Sequence, residues 1–129
     1  CGPSSTHHGP MNPRLRSALS LIAVVLVVAA ASEAWRAWSA ERTGAQVAAL
    51  AAPGDIVMIA SDTCIYCDRA RAWFKAHDVA FTECSIERDA ACAARFNAHL
   101  APGTPLLLVR GKPQVGFDPR RLADALGAS

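Results

Sequence analysis

The chain has 129 residues, of which 52% are hydrophobic and 19% charged, and its formal net charge is +2 at pH 7. This length allows one small domain and an additional segment. The apolar composition argues against disorder over most of the chain. Because the lysines and arginines are scattered and form no basic run, nothing in the sequence indicates a nucleic-acid-binding protein.

The first part of the chain has the composition of a targeting segment. Residues 1–10 precede Met11, and we interpret them as a leader or an expression-vector remnant that takes no part in the fold. A short basic stretch then leads into a long run of Ala, Val, Leu and Ile. This pattern is typical of a signal peptide or a membrane anchor over residues 11–31, with Ala29 to Ala31 as a small-residue cleavage site.

Both alternatives for this segment place the rest of the chain in the same compartment. Arg14 and Arg16 precede the apolar run, and such positive charge stays on the cytoplasmic side of a bacterial inner membrane. A cleaved signal would release the chain into the periplasm, whereas an uncleaved segment would hold it to the membrane through residues 15–31. Trp35 and Trp38 would suit the interface of such an anchor. We therefore expect a periplasmic location, exported or anchored.

A helical linker is predicted next, over residues 32–54. Its helix, Glu33–Ala52, carries bulky apolar side chains that include Val47 and Leu50, and Pro53-Gly54 ends it. The helix is interpreted either as a spacer between the membrane and a domain or as a helix that packs on a sheet.

Residues 55–129 are predicted to form one α/β domain. The expected elements are strands at 56–60, 79–84, 105–109 and 114–116, and helices at 65–77, at 88–99 and from Asp118-Pro119 onward. The second of these helices should carry Cys92, Phe96 and Leu100 on its apolar side. The order β-α-β-α-β-β-α implies parallel pairing across each strand-helix-strand unit and an antiparallel hairpin at the turn 110–113. The sheet is therefore expected to be four-stranded and mixed.

The pair of cysteines in Cys64-Ile65-Tyr66-Cys67 lies where the first strand meets the next helix. Two cysteines three residues apart in the first turn of a helix are close enough to form a disulfide. The helix N-terminus also stabilises a thiolate on the first of them. Zinc binding is the alternative, but it needs two further ligands, and no other cysteine or histidine pair has a matching spacing. The pair therefore predicts thiol–disulfide exchange.

This order of elements, with the cysteine pair after the first strand, resembles the glutaredoxin branch of the thioredoxin fold over residues 55–127. Cys64-Ile65-Tyr66-Cys67 is similar to the CPYC motif of that family. Gly103-Thr104-Pro105 lies where the family has its TVP segment with a cis proline, and Val115-Gly116-Phe117-Asp118 lies where it has a glycine pair followed by acidic residues. The resemblance implies a thioredoxin-like (glutaredoxin) α/β fold and a cis Thr104-Pro105 bond.

The same resemblance implies a thiol–disulfide oxidoreductase. Cys64 would attack a substrate disulfide and Cys67 would resolve the mixed disulfide, although an inert buried thiol is the rival role for Cys67. The implied substrate- or glutathione-binding groove comprises Tyr66, Thr104, Pro105, Gly116, Phe117 and Asp118. Asp118 is equally suited to cap the last helix. No metal or organic cofactor is implied. The expected partners are protein disulfides or glutathione, with glutathione as candidate co-substrate, and a dithiol donor that recycles the enzyme.

Two departures from the family pattern favour protein disulfides over glutathione. Glutaredoxins carry a cation shortly before the cysteine pair, whereas this chain has Ser61-Asp62-Thr63. The carboxylate of Asp62 should oppose a thiolate at Cys64 and repel an anionic tripeptide. Phe117 replaces the second glycine and should add bulk to the groove.

Several alternatives stay open at this point. Cys84 and Cys92 form either a second disulfide, as an oxidising compartment favours, or two buried apolar positions. The alternative function is a non-catalytic binding module, either for a partner protein or for glutathione with an iron–sulfur cluster. The direction of the redox reaction also stays open.

Overall fold

The computed structural model describes residues 12–127. Contacts divide the chain into one unit that ends at Trp38 and another that begins at Ser39. Helix α1, Pro13–Leu50, begins in the first unit and ends in the second. The interpretation of residues 1–10 lies outside the described residues.

The described part of the first unit is helical and exposes its apolar side chains. Leu21 and Val27, for example, are each 68% exposed. In length and composition α1 is apolar enough to cross a membrane, and a signal sequence near an N-terminus has the same properties. The structure therefore leaves both predictions for this segment open.

The second unit contains the end of α1 and a four-stranded sheet. Its further elements are β1 Ile56–Ala60, α2 Ile65–Ala76, β2 Thr82–Ser85, α3 Ala90–Ala98, β3 Leu106–Val109, β4 Lys112–Val115 and α4 Pro119–Gly127. The strand order in the sheet is β2-β1-β3-β4. β1 is parallel to β2, and the β1–β3 and β3–β4 pairs are antiparallel. The predicted order of elements and the mixed four-stranded sheet are confirmed.

One predicted strand direction is wrong. Parallel pairing holds for the β1-α2-β2 unit, but β3 runs antiparallel to β1 and hence to β2. The register shows why. Leu106, which begins β3, pairs with Ile59 near the end of β1, and Ser85, which ends β2, pairs with Ala60. The chain leaves β2 and enters β3 at the same end of the sheet, because α3 and its loops return it there.

Two predicted element boundaries also shift. β2 begins at Thr82, and not at Val79, because Val79 closes α2: its N–H donates to the Phe74 carbonyl at 2.9 Å and its side chain is buried. Leu100 is 89% exposed, so its predicted place on the apolar side of a helix is wrong. The reason is that α3 ends at Ala98 and Leu100 has a positive φ of 49° in the turn that follows.

The hairpin between β3 and β4 is tighter than predicted. Its turn consists of Arg110 and Gly111, whose φ angles are 49° and 80°. Two consecutive left-handed residues match the twist of the flanking strands, which makes a two-residue connection favourable. β4 therefore starts at Lys112, inside the segment that was predicted to be the turn.

The two faces of the sheet carry separate cores because side chains alternate along each strand. The larger core is covered by α2, α4 and the end of α1, and contains Val47, Ile56, Met58, Ala70, Phe74, Val79, Leu107, Val109, Leu122, Ala123 and Leu126. The smaller core, on the side of α3, contains Ile59, Cys92, Leu106 and Leu108. Because Val47 is fully buried, the end of α1 packs on the domain, which is the second of the two predicted roles of this helix.

Candidate active site

The Cys64–Cys67 pair lies at the start of α2, as predicted. Cys64 is the N-cap residue, with extended backbone angles, and it is joined to Cys67 by a disulfide with the Cα atoms 5.2 Å apart. The backbone N–H of Cys67 donates to the Cys64 Sγ at 3.0 Å. After reduction, this N–H and the helix N-terminus would stabilise a thiolate on Cys64.

The two sulfurs differ in their access to solvent. Cys67 is fully buried, whereas Cys64 is half-buried and is followed by Ile65 and Tyr66, both about 60% exposed. An external thiol therefore reaches Cys64 first. This difference supports the predicted roles of nucleophile for Cys64 and resolving thiol for Cys67.

Segments that are far apart in the sequence meet at this end of the sheet. Because β3 begins beside the end of β1, the loop before β3 lies next to the loop that leads into α2. The hydroxyls of Ser61 and Thr104 form a hydrogen bond of 3.2 Å between the two loops. The Thr104-Pro105 bond is cis, as predicted. On the other side, the Gly116 N–H donates to the Pro105 carbonyl at 2.9 Å and holds the end of β4 against the same loop.

A groove of about 540 Å³ results from this arrangement. Its lining residues are Tyr66, Arg69, Pro102, Gly103, Thr104, Pro105, Val115, Gly116 and Phe117. The structure thus brings together all of the predicted binding residues except Asp118. The groove is predominantly apolar, and Arg69 carries the charge in its lining.

Asp118 does not line the groove and instead caps α4. Its Oδ1 accepts hydrogen bonds from the N–H groups of Arg120 at 2.9 Å and Arg121 at 3.4 Å. Pro119 is the first residue of the helix, where its missing N–H is of no consequence. Asp118 is therefore the N-cap of α4, which is the alternative role that the sequence allowed for it.

Phe117 belongs to both the groove and the core. Its ring lies edge-on to Trp73 and to Phe74, with a centroid distance of 5.3 Å in each case. The ring is therefore packed against the core on one side and lines the groove on the other, where the sequence pattern predicted added bulk.

Comparison with known proteins shows what this part of the chain is similar to. Residues 56–114 match the family model of glutaredoxin. This part of the chain is therefore similar to the glutaredoxin family. A mutant of the thioredoxin-like protein BC3987 has a similar structure, with a TM-score of 0.52 and 25% identity over 59% of this chain and 99% of that chain. A mutated buckwheat glutaredoxin has a TM-score of 0.48 and 16% identity over 70% and 89%. No curated protein matches the chain significantly.

The predicted thioredoxin-like fold is confirmed by the similarity to the thioredoxin-like protein and by the sheet topology. The family match ends at Gln114, before Gly116 and Phe117. The side of the groove formed by Val115, Gly116 and Phe117 therefore lies outside the family match.

Arg69 is a groove residue that the sequence analysis did not predict. Its guanidinium lies over the Tyr66 ring, 5.5 Å from the centroid. The signal was present, because residues 66 and 69 are three apart on a predicted helix and must share a face. Arg69 supplies to the groove the cation that is missing from the segment before Cys64.

Asp62 is turned toward the loop between β2 and α3. Its Oδ1 accepts hydrogen bonds from the Ser85 hydroxyl at 2.8 Å and from Arg88 Nη2 at 2.7 Å. The Ser85 hydroxyl and the Arg88 guanidinium hold the pKa of Asp62 below its usual value. The carboxylate is therefore charged, but a cation offsets the charge that was predicted to oppose a thiolate at Cys64.

Cys84 and Cys92 form a second disulfide, with Cα atoms 6.1 Å apart, which answers the question left open by the sequence. Cys84 is half-buried on the edge strand β2, and Cys92 is 3% exposed in α3. This bond ties α3 to the sheet on the side of the smaller core.

Proposed function

We propose that this chain is a thiol–disulfide oxidoreductase that acts outside the cytoplasm on protein or glutathione disulfides. The observation that carries the proposal is the position of the Cys64–Cys67 disulfide at the N-terminus of α2, with one sulfur accessible and the other buried. A structural disulfide has no need of that asymmetry, whereas an exchange reaction uses both properties.

The reaction begins with the reduced pair. The Cys64 thiolate attacks one sulfur of the substrate disulfide, forms a mixed disulfide and releases the other substrate sulfur as a thiolate, which takes up a proton. The Cys67 thiol then loses its proton and attacks the Cys64 sulfur, which releases the second substrate thiol. The Cys64–Cys67 disulfide has now formed, and two electrons from a dithiol donor reduce it again. Thiols alone supply the electrons, so the cycle requires no bound cofactor.

The groove beside Cys64 indicates what kind of substrate fits. Val115 and Phe117 offer an apolar surface, and Arg69 offers one positive charge. An extended peptide with an apolar side chain beside its cysteine would cover this surface, and a carboxylate on the substrate would pair with Arg69. Glutathione has carboxylates that could pair with Arg69, but an extended protein segment would cover more of the apolar surface. The six residues proposed to bind substrate are Tyr66, Arg69, Thr104, Pro105, Gly116 and Phe117.

The location outside the cytoplasm rests on α1. Its apolar part is exposed, and Arg14 and Arg16 precede it, which favours an N-terminus on the cytoplasmic side. A bacterial periplasm or an equivalent oxidising compartment also accounts for the Cys84–Cys92 disulfide.

A redox titration of the full chain in detergent tests the enzymatic proposal. The protein is equilibrated with glutathione buffers and alkylated, and tryptic peptides are analysed by mass spectrometry. Trypsin cleaves after Lys75, which separates the peptide of Cys64 and Cys67 from that of Cys84. We expect a reversible two-electron transition for the Cys64–Cys67 pair.

Two variants serve as matched controls for this titration. Cys67→Ser should trap a mixed disulfide on Cys64, and Cys64→Ser should trap none, because Cys67 is buried. The absence of a reversible transition, or equal trapping in both variants, would contradict the proposal and leave a non-catalytic domain with this fold.

A further inference from the structure

The Cys84–Cys92 disulfide has no part in the exchange reaction at Cys64, yet it lies in contact with solvent. We propose that it is a second thiol-exchange site, opened by an external dithiol, and that its opening lowers the reactivity of Cys64 by releasing Asp62. The first half of this inference goes beyond the proposed function, and the second half rests on it.

The second disulfide is accessible from the surface. A cavity of about 210 Å³ is lined by both cysteines and by residues of β1, β2 and the start of α3. Cys84 is half-buried and belongs to β2, an edge strand of the sheet. An edge strand presents unpaired backbone groups to which an extended thiol-containing peptide can bind. An incoming thiolate therefore meets the Cys84 sulfur before the nearly buried Cys92 sulfur.

The surroundings of Cys92 suit a leaving thiolate. Cys92 lies in the first turn of α3, where the helix N-terminus stabilises negative charge. Arg95, one turn further on, lines the same cavity, while the carboxylates of Glu83 and Asp89 oppose it. Attack on Cys84 forms a mixed disulfide and releases the Cys92 thiolate, which takes up a proton. The second thiol of the donor then releases Cys84, so the donor becomes a disulfide and the protein gains two thiols.

A chain of contacts connects this bond to Cys64. The disulfide closes a loop of sequence separation 8. Ser85 and Arg88 lie within that loop, and both hold Asp62, which is two residues before Cys64. Glu87, also in the loop, accepts a hydrogen bond from the Asp62 N–H at 3.1 Å. The three loop residues that fix Asp62 are thus all enclosed by the disulfide.

Opening the bond should change the charge near Cys64. A loop that is no longer closed gains conformational freedom, and the hydrogen bonds that it makes to Asp62 become weaker on average. The Asp62 carboxylate then loses part of its pairing with Arg88. An unpaired carboxylate beside a thiol disfavours the thiolate, so Cys64 should become a poorer nucleophile.

The first arm of the test measures access to the second disulfide in the full chain in detergent. The protein is treated with increasing dithiothreitol without denaturant, alkylated and digested with trypsin, which cleaves after Arg88 and separates the two cysteines. We expect both to be alkylated in the folded protein, and Cys92→Ser to form a mixed disulfide with glutathione at Cys84. If both resist alkylation until denaturant is added, the bond is structural and the proposal is overturned.

The second arm measures the reactivity of Cys64 from the pH dependence of its alkylation by iodoacetamide in Cys67→Ser protein. Replacing both Cys84 and Cys92 by Ala should raise the apparent pKa of Cys64 and slow alkylation severalfold near neutral pH. Asp62→Asn should abolish that difference. Asp62 also lines a second surface cavity, whose other charged residues are the same in all of these proteins: Asp68, Arg71, Glu83, Arg88 and Asp89. Glu87, which contacts the Asp62 N–H, is unchanged as well.

A third variant guards against misfolding of the double alanine protein. Arg88→Gln removes the cation from Asp62 while the disulfide stays intact, and Arg88→Lys retains the charge. We expect slower alkylation of Cys64 in Arg88→Gln and near-normal alkylation in Arg88→Lys. An unchanged rate in both Arg88→Gln and the double alanine protein would show that the loop does not act on Cys64. The first arm measures Cys84 and Cys92 only. Its result therefore does not depend on whether the Cys64–Cys67 pair is catalytic, which the redox titration tests.

Discussion

At the start of α2, the sulfur of Cys64 receives a hydrogen bond from the Cys67 N–H and still remains within reach of solvent. Two arginine side chains contribute to the charge around the cysteine pair. Arg69 places a positive charge in the groove, while Arg88 offsets the carboxylate of Asp62 on the other side of the cysteine pair. We therefore expect the reactivity of Cys64 to depend on cations from two different parts of the domain.

The first prediction concerns Arg69, the cation that lines the groove. Arg69→Ala should raise the KM for a glutathione–peptide mixed disulfide about fivefold with little change in kcat, because an exposed ion pair is worth about 1 kcal/mol. Arg69→Lys should recover part of the loss. Steady-state reduction kinetics measure both. Lys75→Ala, which removes an exposed cation of the same helix outside the groove, should leave KM unchanged. An equal effect of the two alanine variants would refute a role for the groove cation.

The ion pair between Arg71 and Glu83 gives a second prediction, about the pH dependence of stability. Arg71 Nε donates to Glu83 Oε2 at 2.9 Å, and this guanidinium lowers the pKa of Glu83 below its usual value. The unfolded chain therefore binds the proton more readily, and the stabilisation is present above the usual pKa and lost as the pH falls through the lower folded value.

Glu83→Gln should accordingly make the loss of stability between about pH 5 and about pH 3 shallower, as measured by urea unfolding at several pH values. A residual slope should persist, because Asp55 and Asp62 also have lowered pKa values in the folded protein. Asp124→Asn serves as the control for loss of a carboxylate in α4. A slope that is identical in wild type and Glu83→Gln would contradict the assignment.

The contact between α1 and the end of α2 restricts the size of the side chain at residue 44. Gly44 is buried, and a Cβ at this position would overlap the ring of His77. That ring is held by Trp73, with ring centroids 4.6 Å apart. A glycine in a helix interior costs about 1 kcal/mol relative to alanine, so its presence here is explained by this close approach.

Gly44→Ala should therefore lower the free energy of unfolding by about 1–3 kcal/mol, the usual cost of overpacking. In a His77→Ala background the same change should instead stabilise the protein, by up to about 1 kcal/mol from helix propensity. Urea unfolding of the four proteins forms a double-mutant cycle. Ala45→Gly, an exposed neighbour in α1, controls for propensity alone. Equal effects of Gly44→Ala in both backgrounds would exclude the contact as the cause.

The molecule as a whole combines an apolar N-terminal helix with an α/β domain that has two disulfides. A thiol enzyme at a membrane or beyond it meets protein disulfides that cytoplasmic thiols do not reach. The proposed function therefore requires the domain to lie outside the cytoplasm.

The location yields the prediction for the whole molecule. An alkaline phosphatase fused after residue 129 should be active in a bacterial host, because that enzyme needs its disulfides, whereas a fused fluorescent protein that matures only in the cytoplasm should stay dark. Arg14→Glu with Arg16→Glu should reduce the phosphatase signal, since the flanking positive charge orients the segment. Mass spectrometry of the purified chain then shows whether residues 11–31 are retained or cleaved. A bright fluorescent fusion with an inactive phosphatase would contradict the location.

Much of the fold and the cysteine pair could be predicted because the signals are local. The buried strand β1, the amphipathic α2 and the Asp118-Pro119 start of α4 depend on residues a few positions apart. The place of Cys64 at a helix start follows from the same short-range pattern. The Leu100 error has a local cause as well, since one left-handed residue after α3 removed that side chain from the predicted face.

Local sequence patterns were enough to predict the order of elements, the cysteine pair at a helix N-terminus and the apolar N-terminal segment, because hydrophobic periodicity and capping act over a few residues. The folded domain was needed to establish the antiparallel direction of β3, the presence of Arg69 in the groove and the pairing of Cys84 with Cys92. Each of these depends on which elements of the domain become neighbours. That choice is made by burying both faces of the sheet at once, which no short stretch of sequence can specify.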